Sequence, residues 1–414
     1  MTFGEILILV SAFFGIFSAV VFFLSMLQES FSKKNPKLKR HAKVSIIVPV
    51  WNEEARATAT IDSLLKIDWP RDKLEIIIVN DGSTDRTAEF LEPYAKYSFI
   101  KIFTKKKSSG KAKAVNFGIR HSSGEFIMSM DADSTIDSWC LKKMLGYFDR
   151  DEKVMAVIPY MLIKNPKKFI HKLQYIEFLS ATFMRRIFAI LGGLFLAPGP
   201  GTIIRKKFFE KHGYIDETTI VEDMEISLRI QKNHYIIEHA YGVSSYTLGA
   251  HTLKHFFAQR LRWFRGFIDM MGRYGELFSL KYGNLGMFIL PVSIIAVILN
   301  LSLFIYGMSR LIINTVKTFI ELYLINFDIS TWFDFSFDPY FISTTHLSVL
   351  ILVMLGIGIT IMWVAKKEAH VKEKISGSYV FFIMCYWLLY SFSWIKAVYY
   401  KTARKKIRWG GKVG

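Results

Sequence analysis

The 414-residue chain has a net charge of +19, and 51% of its residues are apolar, giving a mean hydropathy of +0.26. That balance is too apolar for an ordinary soluble protein, and the length allows two or three domains. The two cysteines, Cys140 in a mixed stretch and Cys385 in an apolar run, leave no disulfide framework or zinc cluster to expect.

The apolar residues are concentrated in runs. Ile6 to Leu27 is uncharged and long enough to cross a bilayer core, which needs about 20 helical residues. It lacks a basic leader and an A-x-A-like cleavage site, so 1–28 reads as a retained transmembrane anchor. The linker 29–43 holds KKNPKLKRHAK. Such a cluster favours the cytoplasmic side, with the N-terminus outside and the following residues inside. Positive charge beside apolar segments suits membrane lipids or phosphates. No motif of a nucleic-acid reader is present, so no nucleic-acid partner is expected.

Residues 44–245 alternate strand and helix patterns. Strands are predicted at VSIIVPV (44–50), LEIIIVN (74–80), FIKIF (99–103), EFIMSMDAD (125–133) and VMAVIPY (154–160). Helices are predicted at 53–66, at 84–96 with Pro93 disturbing its last turn, and at 110–122. Short apolar runs separated by helices indicate a buried, mostly parallel sheet, and thus an α/β doubly wound fold. Ligands in such sheets sit at the carboxyl ends of the strands. Asp81, in NDGSTD, stands at the tip of the second strand, and Asp131 and Asp133, in DADS, stand at the tip of the fourth. Two carboxylates one residue apart suit Mg²⁺ or Mn²⁺, which keeps coordination positions open for substrate phosphates. Neither a P-loop nor a G-x-G-x-x-G fingerprint occurs.

Beyond the fourth strand, the apolar stretch 174–201 has a central arginine pair and no long uncharged run. It reads as a helix lying in the membrane interface, over about 174–197. Residues 246–285 read as further interfacial helices containing QRLRWFRG (259–266). There Gln259, Arg262 and Trp263 lie at i, i+3 and i+4 and share a helix face. The arginine fork grips phosphate, and the indole offers a plane to a sugar. Arg260 and Arg265 project elsewhere and are expected to serve the membrane interface. His251 and His255 have metal-ligand spacing without further ligands nearby and are expected at the surface.

The C-terminal region 286–400 contains uncharged runs that predict spans at about 287–309, 347–365 and 375–395, with an aromatic stretch at 327–341 suited to an interfacial belt. The tail 401–414 is strongly basic and belongs on the inside. Three spans would leave it outside. A fourth span or re-entrant segment at 311–326, or one span lying flat, removes the conflict. The fourth span is the expectation, against the charges of Lys317 and Glu321.

Seven stretches stand in order: IIVPVWNEE, IIIVNDGSTDRT, GKAKAVNFGI, MDADS, GPGTIIRKK, VEDMEISLRI and QRLRW. The series resembles the membrane-embedded inverting glycosyltransferases of family two, among them hyaluronan, chitin, cellulose and poly-N-acetylglucosamine synthases, over residues 44–266. The resemblance implies a GT-A-like domain joined to transmembrane and interfacial helices. It implies nucleotide-sugar binding by Pro49, Trp51, Glu53, Asp81, Lys111, Lys113, Asp131, Gln259, Arg262 and Trp263. Metal binding would fall to Asp133 and Asp131, with Mg²⁺ or Mn²⁺ as the cofactor. Asp223 resembles the general base, beside Glu222, although Val221 replaces the usual threonine. Gly199, Pro200, Gly201 and Arg205 would border the acceptor.

The implied activity is processive transfer from a UDP-sugar to a polysaccharide, with inversion, by an integral protein of the plasma membrane whose catalytic domain is cytoplasmic. A glycolipid synthase, taking a lipid acceptor in place of a glycan, also fits Q-x-x-R-W. A non-catalytic membrane protein would leave gaps among the acidic motifs, and Asp81, Asp131, Asp133 and Asp223 are all present. The sugar, its linkage and the oligomeric state are not written in these motifs.

Overall fold

The computed structural model describes residues 2–29, 35–327, 346–369, 376–405 and 407. Most of the expected aromatic belt and of the basic tail lies outside them.

The sheet begins as the sequence predicts. Strands β1 (Val44–Val50), β2 (Leu74–Asn80), β3 (Ile100–Thr104) and β4 (Phe126–Ser129) are parallel, with Val48 opposite Ile78 and Ile46 opposite Met128. Helices α2 (Glu54–Leu65), α3 (Thr87–Leu91) and α4 (Lys111–His121) make the crossovers. α3 tightens into a 3₁₀ turn over Glu92–Lys96, where Pro93 sits. Alternate side chains feed different cores. Val44, Ile46 and Val48 pack with Ile61 and Leu64 of α2 on one face, whereas Ile47, Ile77 and Val79 face the other.

The second half of the sheet is more mixed than a doubly wound pattern. The strand order is β3-β2-β1-β4-β7-β6-β8-β5. The short β7 (Ile203–Arg205) runs antiparallel between β4 and β6 (Val154–Ile163). β8 (Ile236–Thr247) is parallel to β6, and β5 (Thr135–Ile136) closes the edge antiparallel to β8. No sequence pattern marks β5, β7 or β8. Strands of two or three residues carry no period, and β8 mixes Glu238, His239 and two serines into its apolar positions.

Between the sheet and the apolar helices lies α6 (Phe169–Ile190), preceded in the chain by α5 (Cys140–Arg150). The predicted interfacial helix is a buried layer. Tyr175, Leu179, Phe183 and Ile187 enter the core shared with β6, and Phe183 and Phe188 meet Phe23 and Phe22 of α1 (Phe3–Glu29) at 6.5 and 6.3 Å. The chain then forms α7 (Lys206–His212), α8 (Glu222–Lys232), α9 (Leu253–Arg273), α10 (Leu290–Leu324), α11 (His346–Glu368), α12 (Ser376–Phe381) and α13 (Trp387–Thr402).

Four helical segments, Phe3–Leu27, Leu285–Leu324, Ser348–Glu368 and Gly377–Thr402, are long and apolar enough to cross a membrane. The separate span expected at 311–326 does not form. No proline follows Pro291 before the end of α10, so the helix runs unbroken for 35 residues, about 52 Å at 1.5 Å per residue. From residue 35 the basic linker lies against the domain. Asn35 bonds the backbone of Tyr241, the Lys39 amide donates to Asp149, and Arg40 pairs with Glu125 at 2.6 Å.

Candidate active site

The tip of β2 holds Asp81, which is buried and fully engaged. Its carboxylate accepts from the Ser109 and Gly110 amides at 2.8 Å each, from the Ser108 and Ser109 hydroxyls at 2.9 Å, and from Lys105 at 3.1 Å. Burial pushes this carboxyl up, but the two amides and the Lys105 ammonium outweigh it and hold Asp81 below its ordinary range. Asp81 therefore shapes the loop that opens α4, where Gly110 takes φ +99°. Sequence reasoning missed Lys105, Ser108 and Ser109. Their one signal was a lysine run ending in the turn-forming Ser-Ser-Gly.

Lys111, the first residue of α4, joins two acidic motifs. Its ammonium lies 2.7 Å from Asp131 and 3.2 Å from Glu222. The neighbouring structure makes that meeting possible. Asn116, buried in α4, bonds the backbone of Ile215 in both directions and also Glu217, fixing the loop that leads into α8. Glu222 and Asp223 open α8, where the helix N-terminus favours negative charge. On the other side, Thr60 of α2 donates to the Ala132 carbonyl at 2.8 Å, securing the turn between Asp131 and Asp133.

The environments separate these charges. Burial opposes the Lys111 ammonium, but Asp131 and Glu222 outweigh it and raise its pKa, so it stays charged. Burial and then Asp131 raise Asp133. Burial would raise Glu222 too, but Lys111 and Arg262 bring it below its ordinary range. Asp223 is raised by burial and by the Glu222 charge. Glu53, half-buried at the start of α2, is raised by its own burial, with Asp133 adding to the effect.

α9 brings in the third motif. Arg262 donates to the Ile220 carbonyl at 3.2 Å, just ahead of the acid pair. The approach is close because residue 266 is glycine: a Cβ there would collide with the Val221 side chain. After α9, the Tyr274 hydroxyl donates to Glu225 of α8 at 2.6 Å. Trp263 packs beside Phe178 of α6 at 6.1 Å and carries the Arg260 guanidinium over its ring at 4.5 Å. Gln259 accepts from Arg260.

Arg260 overturns an expectation. It is 0% exposed and does not serve a membrane interface; it is ion-paired with Glu177 of α6 and lies beside the Tyr386 hydroxyl. Arg265 pairs within its own helix with Asp269.

The remaining predicted residues divide. Gly199 lies at the Lys111 ammonium, 3.7 Å from where its Cβ would stand. Pro200 is buried, and Gly201, at φ +86°, donates its amide to Ser129 at the end of β4. Trp51, 48% exposed, follows β1 at the same edge, where Asn52 is tied to Ser83 and Thr84 beyond β2. Pro49 is a strand residue paired with Val79. Lys113 is exposed, two residues round the helix from Lys111. Arg205 is not brought to the group. It pairs with Phe126 at the opposite end of β4, donates to Val154 and Phe148, and stacks on two phenylalanine rings.

Residues 45–213 match the model of the glycosyl transferase family 2. Among similar curated proteins, a poly-beta-1,6-N-acetyl-D-glucosamine synthase of Staphylococcus epidermidis is 28% identical, covering 82% of this chain and 84% of that protein. The probable glycosyltransferase YdaM of Bacillus subtilis is 31% identical over 57% of this chain and 59% of its own length. Among solved structures, a mannosyltransferase of Pyrobaculum calidifontis, in complex with GDP-Man and Mn²⁺, aligns with a TM-score of 0.53 at 16% identity, covering 96% of this chain and 100% of that one. The GT-A-like fold, the family match over residues 45–213 and the relatives agree: the chain is a glycosyltransferase whose GT-A-like domain is joined to long apolar helices.

Proposed function

We propose that the protein is a membrane-bound processive glycosyltransferase that adds N-acetylglucosamine from its UDP-linked donor to a growing glycan, with inversion at the anomeric carbon. The observation that carries this reading is the Lys111 bridge, which links Asp131 to Glu222 beside Asp223 in one chain of charges. The names of the relatives support the sugar and the polymer. The long apolar helices support embedding in a membrane, read here as the plasma membrane, and the basic linker after α1 supports a catalytic domain on the cytoplasmic side.

Asp223 acts as general base. It takes the proton of an acceptor hydroxyl while the hydroxyl oxygen bonds to the anomeric carbon and the bond from that carbon to the phosphate oxygen breaks, leaving with its electron pair on UDP. Lys111 and Arg262 supply fixed positive charge to the departing diphosphate. Asp81 receives the nucleoside, exchanging some of its serine donors for those of the base or ribose.

Asp131 and Asp133 fit a divalent metal. Both offer hard oxygens, and Asp133 is raised by its burial and by the nearby Asp131 charge, a tension that a cation relieves. Among the described residues no group of three or more candidate ligands forms, which suits an ion sharing its coordination with substrate phosphates. Bound there, Mg²⁺ or Mn²⁺ would neutralise diphosphate charge.

The test uses the full chain in lipid nanodiscs with a panel of UDP-sugars and either metal, following UDP release and sizing the radiolabelled product. A long polymer made from UDP-N-acetylglucosamine is expected. Asp223→Asn should lower transfer by about 10²–10⁴-fold and leave UDP binding unchanged. A single-sugar product extracted into organic solvent would replace this reading with glycolipid synthesis, and full activity of Asp223→Asn would remove the base assignment.

A further inference from the structure

We infer that Arg185 of α6 is an acceptor-binding residue that grips an oxygen of the terminal sugar of the growing glycan and holds its nucleophilic hydroxyl against Asp223. The inference rests on the glycosyltransferase reading and extends it to the acceptor side.

The Arg185 guanidinium is held by one edge only. Its Nε donates to the Leu196 carbonyl at 3.0 Å, while its Nη1 is buried without a hydrogen-bond partner. The residue after Leu196 continues the connection. The Ala197 amide donates to the Ser227 hydroxyl at 3.3 Å, which donates to the Asp223 carbonyl at 2.7 Å. Arg185 is thus tied to the segment running into Gly199 and, through it, to the helix turn that carries the base. The flank of α6 around it faces the same region, since Phe178 touches Trp263 and Glu177 holds Arg260.

An open donor on a buried guanidinium forfeits its hydration without a replacement partner, which is unfavourable. Glu177 does not relieve it, being committed to Arg260 and the Tyr386 hydroxyl. Burial brings the Arg185 pKa down to about 10, against the pull of Asp223 and Glu177, so the side chain remains charged at neutral pH.

The missing partner is an oxygen, because arginine only donates. A sugar hydroxyl or carbonyl fits better than a phosphate. Lys111 and Arg262 already serve the diphosphate, and an anion drawn deeper would meet Glu222 and Asp223. A neutral sugar oxygen avoids that repulsion and receives a charge-assisted hydrogen bond.

The experiment compares the wild-type chain with Arg185→Met and Arg185→Lys in nanodiscs. It measures KM for a soluble N-acetylglucosamine oligomer, KM for UDP-N-acetylglucosamine, the UDP dissociation constant, product length and the share of UDP released without transfer. For Arg185→Met the acceptor KM should rise tenfold or more, products should shorten and unproductive hydrolysis should increase, with donor KM and UDP binding within twofold of wild type. Arg185→Lys keeps the charge and loses the fork, so it should fall between the two. It also decides the matter where the methionine variant does not fold.

An acceptor KM within twofold of wild type in a folded variant overturns the assignment. So does a parallel change in donor KM, acceptor KM and melting temperature, which is the signature of a purely structural arginine. Absence of turnover by the wild-type chain with any UDP-sugar would overturn the functional reading, and this inference with it. Normal wild-type turnover with an unmoved variant overturns Arg185 alone.

Discussion

Asp223 and Glu222 share one helix turn, yet they titrate apart. Burial and the Glu222 charge raise Asp223, while Lys111 and Arg262 hold Glu222 down against its burial. A general base works deprotonated, so if Asp223 fills the proposed role, activity should rise with pH through its pKa. A raised pKa moves this acid limb above the usual aspartate value of about 3.9. Glu222→Gln removes the like charge, and the acid limb of kcat should then move to lower pH. The pH–rate profiles of the wild type and of this variant provide the check, and an unmoved limb would show that Glu222 does not tune the base. The carboxylates themselves were legible in the sequence, because strand tips and helix starts are readable places. Their joining through Lys111 was not, since it depends on Asn116 fixing a loop 99 residues away. Arg205 misled for a local reason. It follows Gly201 closely in sequence, but the four extended steps from Gly201 through the three-residue β7 carry it about 13 Å from the tip.

α9 shows how an element aims its side chains. The sequence yielded the helix and the spacing of Gln259, Arg262 and Trp263, but not the burial of Arg260, whose partner Glu177 lies 83 residues away. The helix is seated at two points: the Glu177–Arg260–Tyr386 cluster and the contact of Gly266 with Val221. The second point tests whether Arg262 must stand where it does. Gly266→Ala adds a methyl group against the valine, and such overpacking costs typically about 1–3 kcal/mol. The helix should shift away from Ile220, lowering kcat/KM by tenfold or more with a modest loss of melting temperature. Val221→Ala opens the space again, so Gly266→Ala combined with Val221→Ala should recover most of the activity. A double variant as impaired as the single one would mean that the fault lies elsewhere, in the helix itself or in its membrane contacts.

The whole molecule carries a constraint of parity. On the proposed topology, with the N-terminus outside and the catalytic domain inside, three crossings after the domain would leave the basic C-terminal tail outside, against the positive-inside rule. The continuous α10 removes the extra span that the sequence suggested. The contacts of the last apolar segment offer the other solution. It runs alongside α9 in the same direction: Tyr386 meets Phe256 at 5.9 Å, Trp394 stacks on Phe264 at 4.3 Å, and Lys401 pairs with Asp269 at 2.5 Å. Since α9 holds Arg262 against the catalytic domain, a helix matched to it along its length keeps both ends on the domain's side. Its hydropathy is also the lowest of the four segments, 1.4 against 2.5–2.7. We propose on that basis three crossings, by α1, α10 and α11, which would return the chain to the inside, with α12 and α13 lying along the membrane face. Labelling with a membrane-impermeant maleimide tests this arrangement, with Cys140 and Cys385 replaced by serine. Lys405→Cys should react only after the cells are permeabilised, and Asn326→Cys, beyond α10, should react in intact cells. Reaction of Lys405→Cys from outside would put the last helix across the bilayer and break its pairing with α9.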